Sequence, residues 1–412
     1  MSGSGDAKPH RPADAAEPSG NSQQAPYHAS HSAGVVSSQP GDVPNPPVTF
    51  PPATSGVPAV PAPFVSPAHY LRRTSRPVLA VTPVEEKMKP LTPLDVEQMD
   101  GLRALRAFLK VRTSYDVLPL SFRLIVFDTG LLVKKSLDIL IQNEGIVSAP
   151  LWDSKSSTFA GLLTTSDYIN VIQYYWQNPD AMGQIGQFRL SSLREVERAI
   201  GVQPPETVSI HPERPLYEAC RKMLKSRARR IPLVDVDDET QRSMVVSVVT
   251  QYRILKFVAV NVKETAMLRK PLQAINVGTY ENIQTATMDT PVMDVIHMLV
   301  RYNISSVPIL DKEGILLNVF EAVDVITLIK GETDYDNNLN LTVGAAILKR
   351  ADDFSGIYTC SADDRLDTIF DTIRKSRVHR FAIVDDKLRL KGVLTLSDIL
   401  EYILLEGEEG QY

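Results

Sequence analysis

Three aspartates, Asp167, Asp324 and Asp398, each stand between a β-rich apolar run and an apolar helix pattern. A carboxylate at an open helix start can accept two hydrogen bonds from the cis diol of a ribose, and nearby hydroxyls and backbone N–H groups add polar anchors. Thr164, Thr165 and Ser166 precede the first aspartate, and Thr395 and Ser397 precede the last. The pattern also has a purely structural reading. Thr-x-x-Asp before an apolar run is a helix capping box, which stabilises a helix by about 1 kcal/mol without any ligand. A fourth run places Arg253 at the equivalent position, and Glu321 stands where a capping threonine would precede Asp324. Three runs therefore share the carboxylate rather than the cap, and both readings stay open on these residues.

A phosphate would need cations. Arg229 and Arg230 follow one repeated helix, His379 and Arg380 follow another, and a third is followed by the hydroxyl pair Ser305 and Ser306. A lone histidine is more often a satisfied surface or core residue than a ligand. Beside Arg380, in a segment that keeps Asp398, His379 is a stronger candidate. No phosphate-cradling glycine loop, kinase signature, H-E-x-x-H or nucleophile elbow occurs, so the sequence argues against an enzyme. No second carboxylate recurs at a fixed offset, which argues against a metal.

The elements that must position these residues are written four times. Val133, Ser136, Leu137 and Leu140 form one helix face at i, i+3, i+4 and i+7. The face recurs as Leu216, Ala219, Cys220 and Met223, as Val292, Val295, Ile296 and Leu299, and as Leu366, Ile369, Phe370 and Ile373. Each helix leads to a short apolar run closing on Asp153, Asp235, Asp311 or Asp385, then a turn, a second β-rich run and a second helix. The unit is strand or turn, helix, strand, strand, helix, an α/β design of about 60 residues. One unit leaves a sheet edge and an apolar helix face open, so the expectation is two pairs: the first repeat with the second, the third with the fourth.

Residues 1 to 93 carry 18 of the 29 prolines, with much Ser, Ala and Gly, and are expected to be a disordered tail. Its Pro51 to Pro67 stretch could form polyproline II but reads as plain solvated tail. From Asp95 to Val111 an amphipathic helix is expected, docking either on its own domain or on another chain. The net charge of −5, with no basic stripe, argues against nucleic acid or an anionic membrane as a main partner. With two cysteines and no apolar span of membrane length, the chain is expected to be soluble and intracellular.

The repeating unit with its terminal Ser/Thr-x-x-Asp resembles the CBS domain, and pairs of it resemble Bateman modules. The strings SYDVLPLSFRLIVFDT, SAPLWDSK, TQYRILKF, VHRFAIVDD and GVLTLSDIL resemble the gamma subunit of AMP-activated protein kinase, particularly its sucrose-non-fermenting form, over about residues 96 to 407. The resemblance implies four tandem CBS domains forming two Bateman modules in a disc, with a disordered N-terminal tail. The implied division is a tail over 1–94, a lead-in helix over 95–117, and repeats over 118–178, 206–264, 273–333 and 348–408.

It also implies a site. The family's ribose aspartates fall on Asp167, Asp324 and Asp398, and a cleft without one, expected to be empty, falls on Arg253. The central His-Arg pair falls on His379 and Arg380. Polar residues of the tightest site fall on Thr279, Ser305, Thr395 and Ser397, with Arg350 as a further phosphate contact. Thr165, Thr250 and Arg230 complete the candidate set, Arg230 keeping the family's basic residue. Three positions depart from the family pattern: Val147 replaces an arginine, Arg229 a histidine and Tyr252 a lysine. Fewer cations weaken phosphate binding in the first pair, so the main site is expected around Asp398.

The implied function is a non-catalytic gamma subunit that binds AMP, ADP and ATP, needs no cofactor, and controls a serine/threonine kinase under energy or glucose limitation. The implied partners are the kinase catalytic alpha subunit and a beta scaffold, with no nucleic acid or membrane, in cytoplasm and nucleus. The alternative is an architectural subunit whose clefts are vestigial.

Overall fold

The computed structural model describes residues 91–121, 123–142, 148–329, 338–350, 354 and 356–407, all within one compact unit, Glu86–Tyr412. The expected disordered tail, with its Pro51 to Pro67 stretch, lies outside the described residues as far as residue 90.

Helix α1 (Pro93–Val111) opens with a capping box between Thr92 and Asp95, helped by Pro93 at the first helical position, where its missing N–H costs nothing. Four units follow. The first comprises β1 (Phe127–Asp128), α2 (Val133–Gln142), β2 (Ser148–Asp153), β3 (Thr158–Thr164) and α3 (Thr165–Gln177), then the linker helix α4 (Leu193–Ala199). The second has α5 (Leu216–Lys225), β4 (Arg230–Val236), β5 (Ser243–Thr250) and α6 (Gln251–Asn261), then the short α7 (Leu272–Ile275). The third has α8 (Val292–Arg301), β6 (Ser306–Leu310), β7 (Leu316–Glu321) and α9 (Ala322–Leu328), then the linker helix α10 (Val343–Ile347). The fourth has β8 (Thr359–Cys360), α11 (Leu366–Lys375), β9 (Arg380–Val384), β10 (Leu390–Thr395) and α12 (Leu396–Leu405).

The topology is the same each time: an antiparallel hairpin with a short parallel segment on its first strand. That parallel contact is Phe127 with Leu151, Ile210 with Leu233, Ala286 with Ile309 and Cys360 with Ile383. The four helix faces read from the sequence are buried at every named position. In the hairpins' first strands three consecutive residues, and four in the fourth unit, are buried rather than alternate ones, because both sheet faces are covered. Asp153, Asp311 and Asp385 hold the hairpin turns, each accepting backbone N–H groups from the residues that follow.

Pairing is more interleaved than expected. Within each expected pair, the lead-in of one unit runs along the start of its partner's first helix: Leu216 N–H donates to Arg112 O and Ser114 N–H to Arg214 O, while Leu190 N–H donates to Leu131 O in return. The same exchange joins units three and four, through Leu272 N–H to Asp364 O and Val292 N–H to Leu341 O. The helix faces, however, close across the pairs. One core joins units one and three, with α3 packed on α8 and α9; the other joins units two and four, with α6 packed on α11 and α12. A sheet edge and a helix face point in different directions, so one neighbour cannot satisfy both.

Helix α1 docks on its own chain, with Leu102, Leu105 and Leu109 fully buried against the core of units two and four. Gln98 donates to Tyr402 Oη at 3.1 Å, and Arg106 donates to the carbonyls of Ile403 (3.2 Å) and Glu406 (2.6 Å) at the end of α12. Arg106 thereby supplies donors to helix carbonyls that lack intrahelical partners. Arg106→Ala should lower stability by about 1–3 kcal/mol in a denaturant titration and fray α12 first.

Candidate functional site

Hairpin register brings the two kinds of candidate residue together. Thr164 pairs with Ser148, Thr250 with Arg230, Glu321 with Ser306 and Thr395 with Arg380. In every unit the residue capping the second helix thus sits across from the first residue of the incoming strand, about 5 Å away at Cα.

All three aspartates cap their helices. Oδ2 of Asp167 accepts from the N–H of Thr164 at 2.6 Å and its hydroxyl at 2.7 Å. Oδ2 of Asp324 accepts from Glu321 N–H at 2.6 Å, and Oδ2 of Asp398 from the N–H (2.7 Å) and hydroxyl (2.8 Å) of Thr395. Glu321, expected to speak against capping, completes a capping box because its carboxylate accepts the Asp324 N–H. Capping therefore operates in all three units and does not separate the two readings.

The remaining carboxylate oxygen does separate the units. Arg194 of α4 donates to Asp167 Oδ1 at 3.2 Å while also binding Glu197 at 2.7 Å. Arg350, just after α10, grips Asp324 with two bonds, Nε to Oδ1 at 2.7 Å and Nη2 to Oδ2 at 2.6 Å. Asp398 has no ion pair among the described residues; it is also the only one of the three not fully buried. Burial without a cation holds its carboxyl above the usual aspartate range, opposed by the Thr395 N–H and hydroxyl. Burial raises Asp167 too, with Arg194 opposing.

Across the hairpin from Thr395, the capping partner of Asp398, begins a basic cluster built from units two and four. Burial, followed by repulsion from Arg377, Arg380, Arg230 and Arg229, pushes the His379 imidazole down to about 4. Arg229 is pushed down to about 10 by burial and by Arg380, and Arg230 to about 10 by burial, Arg229 and Arg377. Burial and Arg377 lower Arg253 as well. By side-chain exposure His379 and Arg229 nonetheless face solvent, while Arg230 and Arg380 are half-buried. Glu321 of unit three pairs with Arg380, which also donates to Ser305 Oγ at 3.2 Å.

Several expected residues meet at this place. Thr279 bridges Val393 on β10, and Ser397 Oγ donates to Gln251 Oε1 of unit two at 3.0 Å. The Tyr252 ring stands edge-on to His379 at 5.8 Å. Its hydroxyl accepts from Lys256 Nζ at 3.2 Å, so a lysine one turn along α6 brings an amine near the place where the family lysine is missing. Arg350, expected on a phosphate, is instead committed to Asp324, to Asn318 Oδ1 at 2.7 Å and to the Phe354 ring face. Asp167 and Thr165 belong to unit one, and Thr250 caps α6 by accepting Arg253 N–H at 3.1 Å. Val147 lies outside the described residues.

Sequence reading missed Arg377, Gln251, Glu321 as an ion-pair partner, and Arg194. Only Arg377, two residues before His379, had a visible signal; the others act through contacts between units. Among the described residues no group of three or more His, Cys, Asp or Glu could hold a metal, and no helix is long and apolar enough to cross a membrane.

Fold and site define a class, that of CBS-domain proteins, and the CBS domain family model matches residues 202–260, 277–331 and 353–405. The chain is 59% identical over 312 residues to the 5'-AMP-activated protein kinase subunit gamma of Saccharomyces cerevisiae, covering 76% of this chain and 96% of that protein. It is 58% identical to the subunit of that name in Kluyveromyces lactis, covering 76% and 94%. The chain belongs to the gamma-subunit family of 5'-AMP-activated protein kinase, and is a regulatory, non-catalytic protein. A crystal structure from Methanocaldococcus jannaschii, described as a candidate archaeal homolog of g-AMPK, matches the fold with TM-score 0.57 at 15% identity, covering 71% of this chain and 99% of that one.

Proposed function

We propose that the chain senses adenine nucleotides as the gamma subunit of a heterotrimeric serine/threonine kinase, with its main site at Asp398. The observation carrying this reading is that Asp398, with no ion pair among the described residues, caps its helix at Thr395, whose partner across the hairpin, Arg380, belongs to a cluster of arginines with few counter-charges. A ribose diol would donate to the carboxylate; the phosphates would lie toward Arg380, Arg230, Arg229 and His379, with Thr279, Ser305 and Ser397 at the rim. Competing AMP, ADP and ATP then differ in how many arginines they engage, and occupancy biases the attached kinase only by the difference in affinity between its states. The catalytic alpha subunit and beta scaffold are the proposed partners, in cytoplasm and nucleus. Titration of the purified kinase complex with each nucleotide tests this: saturable binding is expected, and none at millimolar concentration would remove it.

The pairing of Asp167 and Asp324 with arginines gives the architectural reading some support, since those two clefts look settled without a ligand. A variant that loses nucleotide yet assembles and regulates normally would favour it.

The depressed His379 makes a separate prediction. A phosphate brought among these arginines raises the imidazole back toward its ordinary value, so near pH 6 His379 should contribute proton uptake on binding, against the protons that the arginines release from the phosphate itself. Calorimetry in buffers of different ionisation heat reads the net proton count, and His379→Gln should shift it toward release.

A further inference from the structure

Units two and four share a string that units one and three lack. After α5 the chain reads Lys225-Ser226-Arg227-Ala228-Arg229-Arg230, and after α11 it reads Lys375-Ser376-Arg377-Val378-His379-Arg380. The stretches that match the ends of these strings, Gly145 to Ser148 in unit one and Asn303 to Ser306 in unit three, contain no cation. The two strings meet at the start of α6. Gln251 N–H donates to Arg229 O at 3.1 Å, Thr250 pairs with Arg230, and Tyr252 Oη donates to Ser376 O at 3.3 Å while its ring stands against His379. Arg253, at the helix position where the other units carry an aspartate, therefore shares a neighbourhood with Arg230 and Arg377, and the charge of Arg377 is felt at both.

The donors of this group are almost unused. Arg253 Nη1 makes one long bond, to Val248 O at 3.4 Å. Among the described residues Arg229, Arg230 and Arg377 make no side-chain hydrogen bond and no ion pair, although Arg230 is half-buried. Glu321, on Arg380, is the one carboxylate paired with Arg229, Arg230, Arg253, Arg377 or Arg380, and His379, held down at about 4, adds no charge near neutral pH. A nucleoside monophosphate seated at Asp398 brings about two negative charges and leaves a positive surplus on the side of unit two. We infer that Arg253 and Arg377, together with Arg230, form a second phosphoryl-binding locus at the junction of units two and four, one that needs no ribose. A guanidinium offers a planar fork of N–H donors and no acceptor, so Arg253 cannot hold a diol but matches the oxygens of a phosphoryl group. The group bound is either a free inorganic phosphate chain or the distal phosphate of a nucleotide whose ribose sits at Asp398; both present the same oxyanion. The inference rests on the reading of Asp398 for the charge left over, not for the locus itself.

The test uses inorganic pyrophosphate, titrated calorimetrically into the purified kinase complex in magnesium-free buffer, with and without saturating AMP. The wild type should bind it in both conditions. Arg377→Gln should weaken this binding at least roughly tenfold, and so should Arg253→Gln. Arg377 is exposed, and its loss relieves repulsion, so Arg377→Gln should melt no lower than the wild type while gaining less thermal stability from pyrophosphate. ADP identifies the source. If ADP, unlike AMP, blocks pyrophosphate and loses more affinity than AMP does in Arg377→Gln, the locus receives the nucleotide's own second phosphate; if pyrophosphate binds beside either nucleotide, the locus receives a free ion. Pyrophosphate that fails to bind the AMP-saturated complex, or that binds both variants as it binds the wild type, would overturn the inference. Failure of AMP to bind at all would instead remove the seat at Asp398, and Arg377-dependent binding of pyrophosphate would survive it.

Discussion

Asp398→Ala should weaken nucleotide binding at least roughly a hundredfold, because two charge-assisted hydrogen bonds to a diol are each worth about 1.5–3 kcal/mol. The alanine also removes the acceptor for the Thr395 N–H and hydroxyl, which costs about 1 kcal/mol of helix capping. Asp398→Asn separates the two effects. Its amide oxygen can still accept the Thr395 N–H, so stability should hold while binding is lost. Asp153→Ala is the control, since Asp153 serves only a hairpin turn through Lys155 N–H (3.0 Å) and Ser156 Oγ (2.8 Å) and should leave affinity unchanged. Calorimetric titration of the three variants reads all of this. The pH dependence follows from the raised Asp398 carboxyl: the ionised form accepts the diol, so affinity is full above that group's pKa. Affinity then falls about tenfold per unit below it, beginning at higher pH than an ordinary aspartate would give. Asp398→Asn should abolish that dependence.

The sequence made the repeat legible because a buried helix face must present the same residues at i, i+3, i+4 and i+7 whatever lies opposite. Every face named from periodicity is buried in the structure. What lies opposite was not legible. The faces of α5 and α11 are both apolar, and nothing in their spacing says that unit two meets unit four rather than unit one. The site divided in the same way. Asp398, His379 and Arg380 announce themselves by residue type beside a helix end. Arg194 on Asp167 and Glu321 on Arg380 are pairs formed between segments far apart in the chain, and charged residues on a linker or at a strand end are ordinary in any sequence. One carboxylate oxygen serves the helix in all three units, and the arginines on the other in units one and three come from segments some two dozen residues away, which no local pattern signals.

Phe370→Ala should be the most destabilising single change in the second core, at about 3–5 kcal/mol. Phe370 is fully buried on α11, in the core that units two and four share with α1. Truncating it opens a cavity against α6 that the surrounding helices cannot close without breaking the lead-in exchange that ties unit two to unit one and unit four to unit three. The loss should therefore be felt across the pair boundary. Hydrogen exchange of the α6 amides, around Leu255 and Val258, should speed up along with that of α11, while α3 and α8 in the other core keep most of their protection. Weakened protection confined to unit four would mean that the two helix faces do not form one cooperative core. The same change should also loosen nucleotide. Arg229 and Arg230 stand on unit two, His379 and Arg380 on unit four, and the shared core is what keeps these mutually repelling cations together. A ligand that neutralises them should in turn raise the stability of that core by mass action, so nucleotide added to Phe370→Ala should recover part of the lost thermal stability.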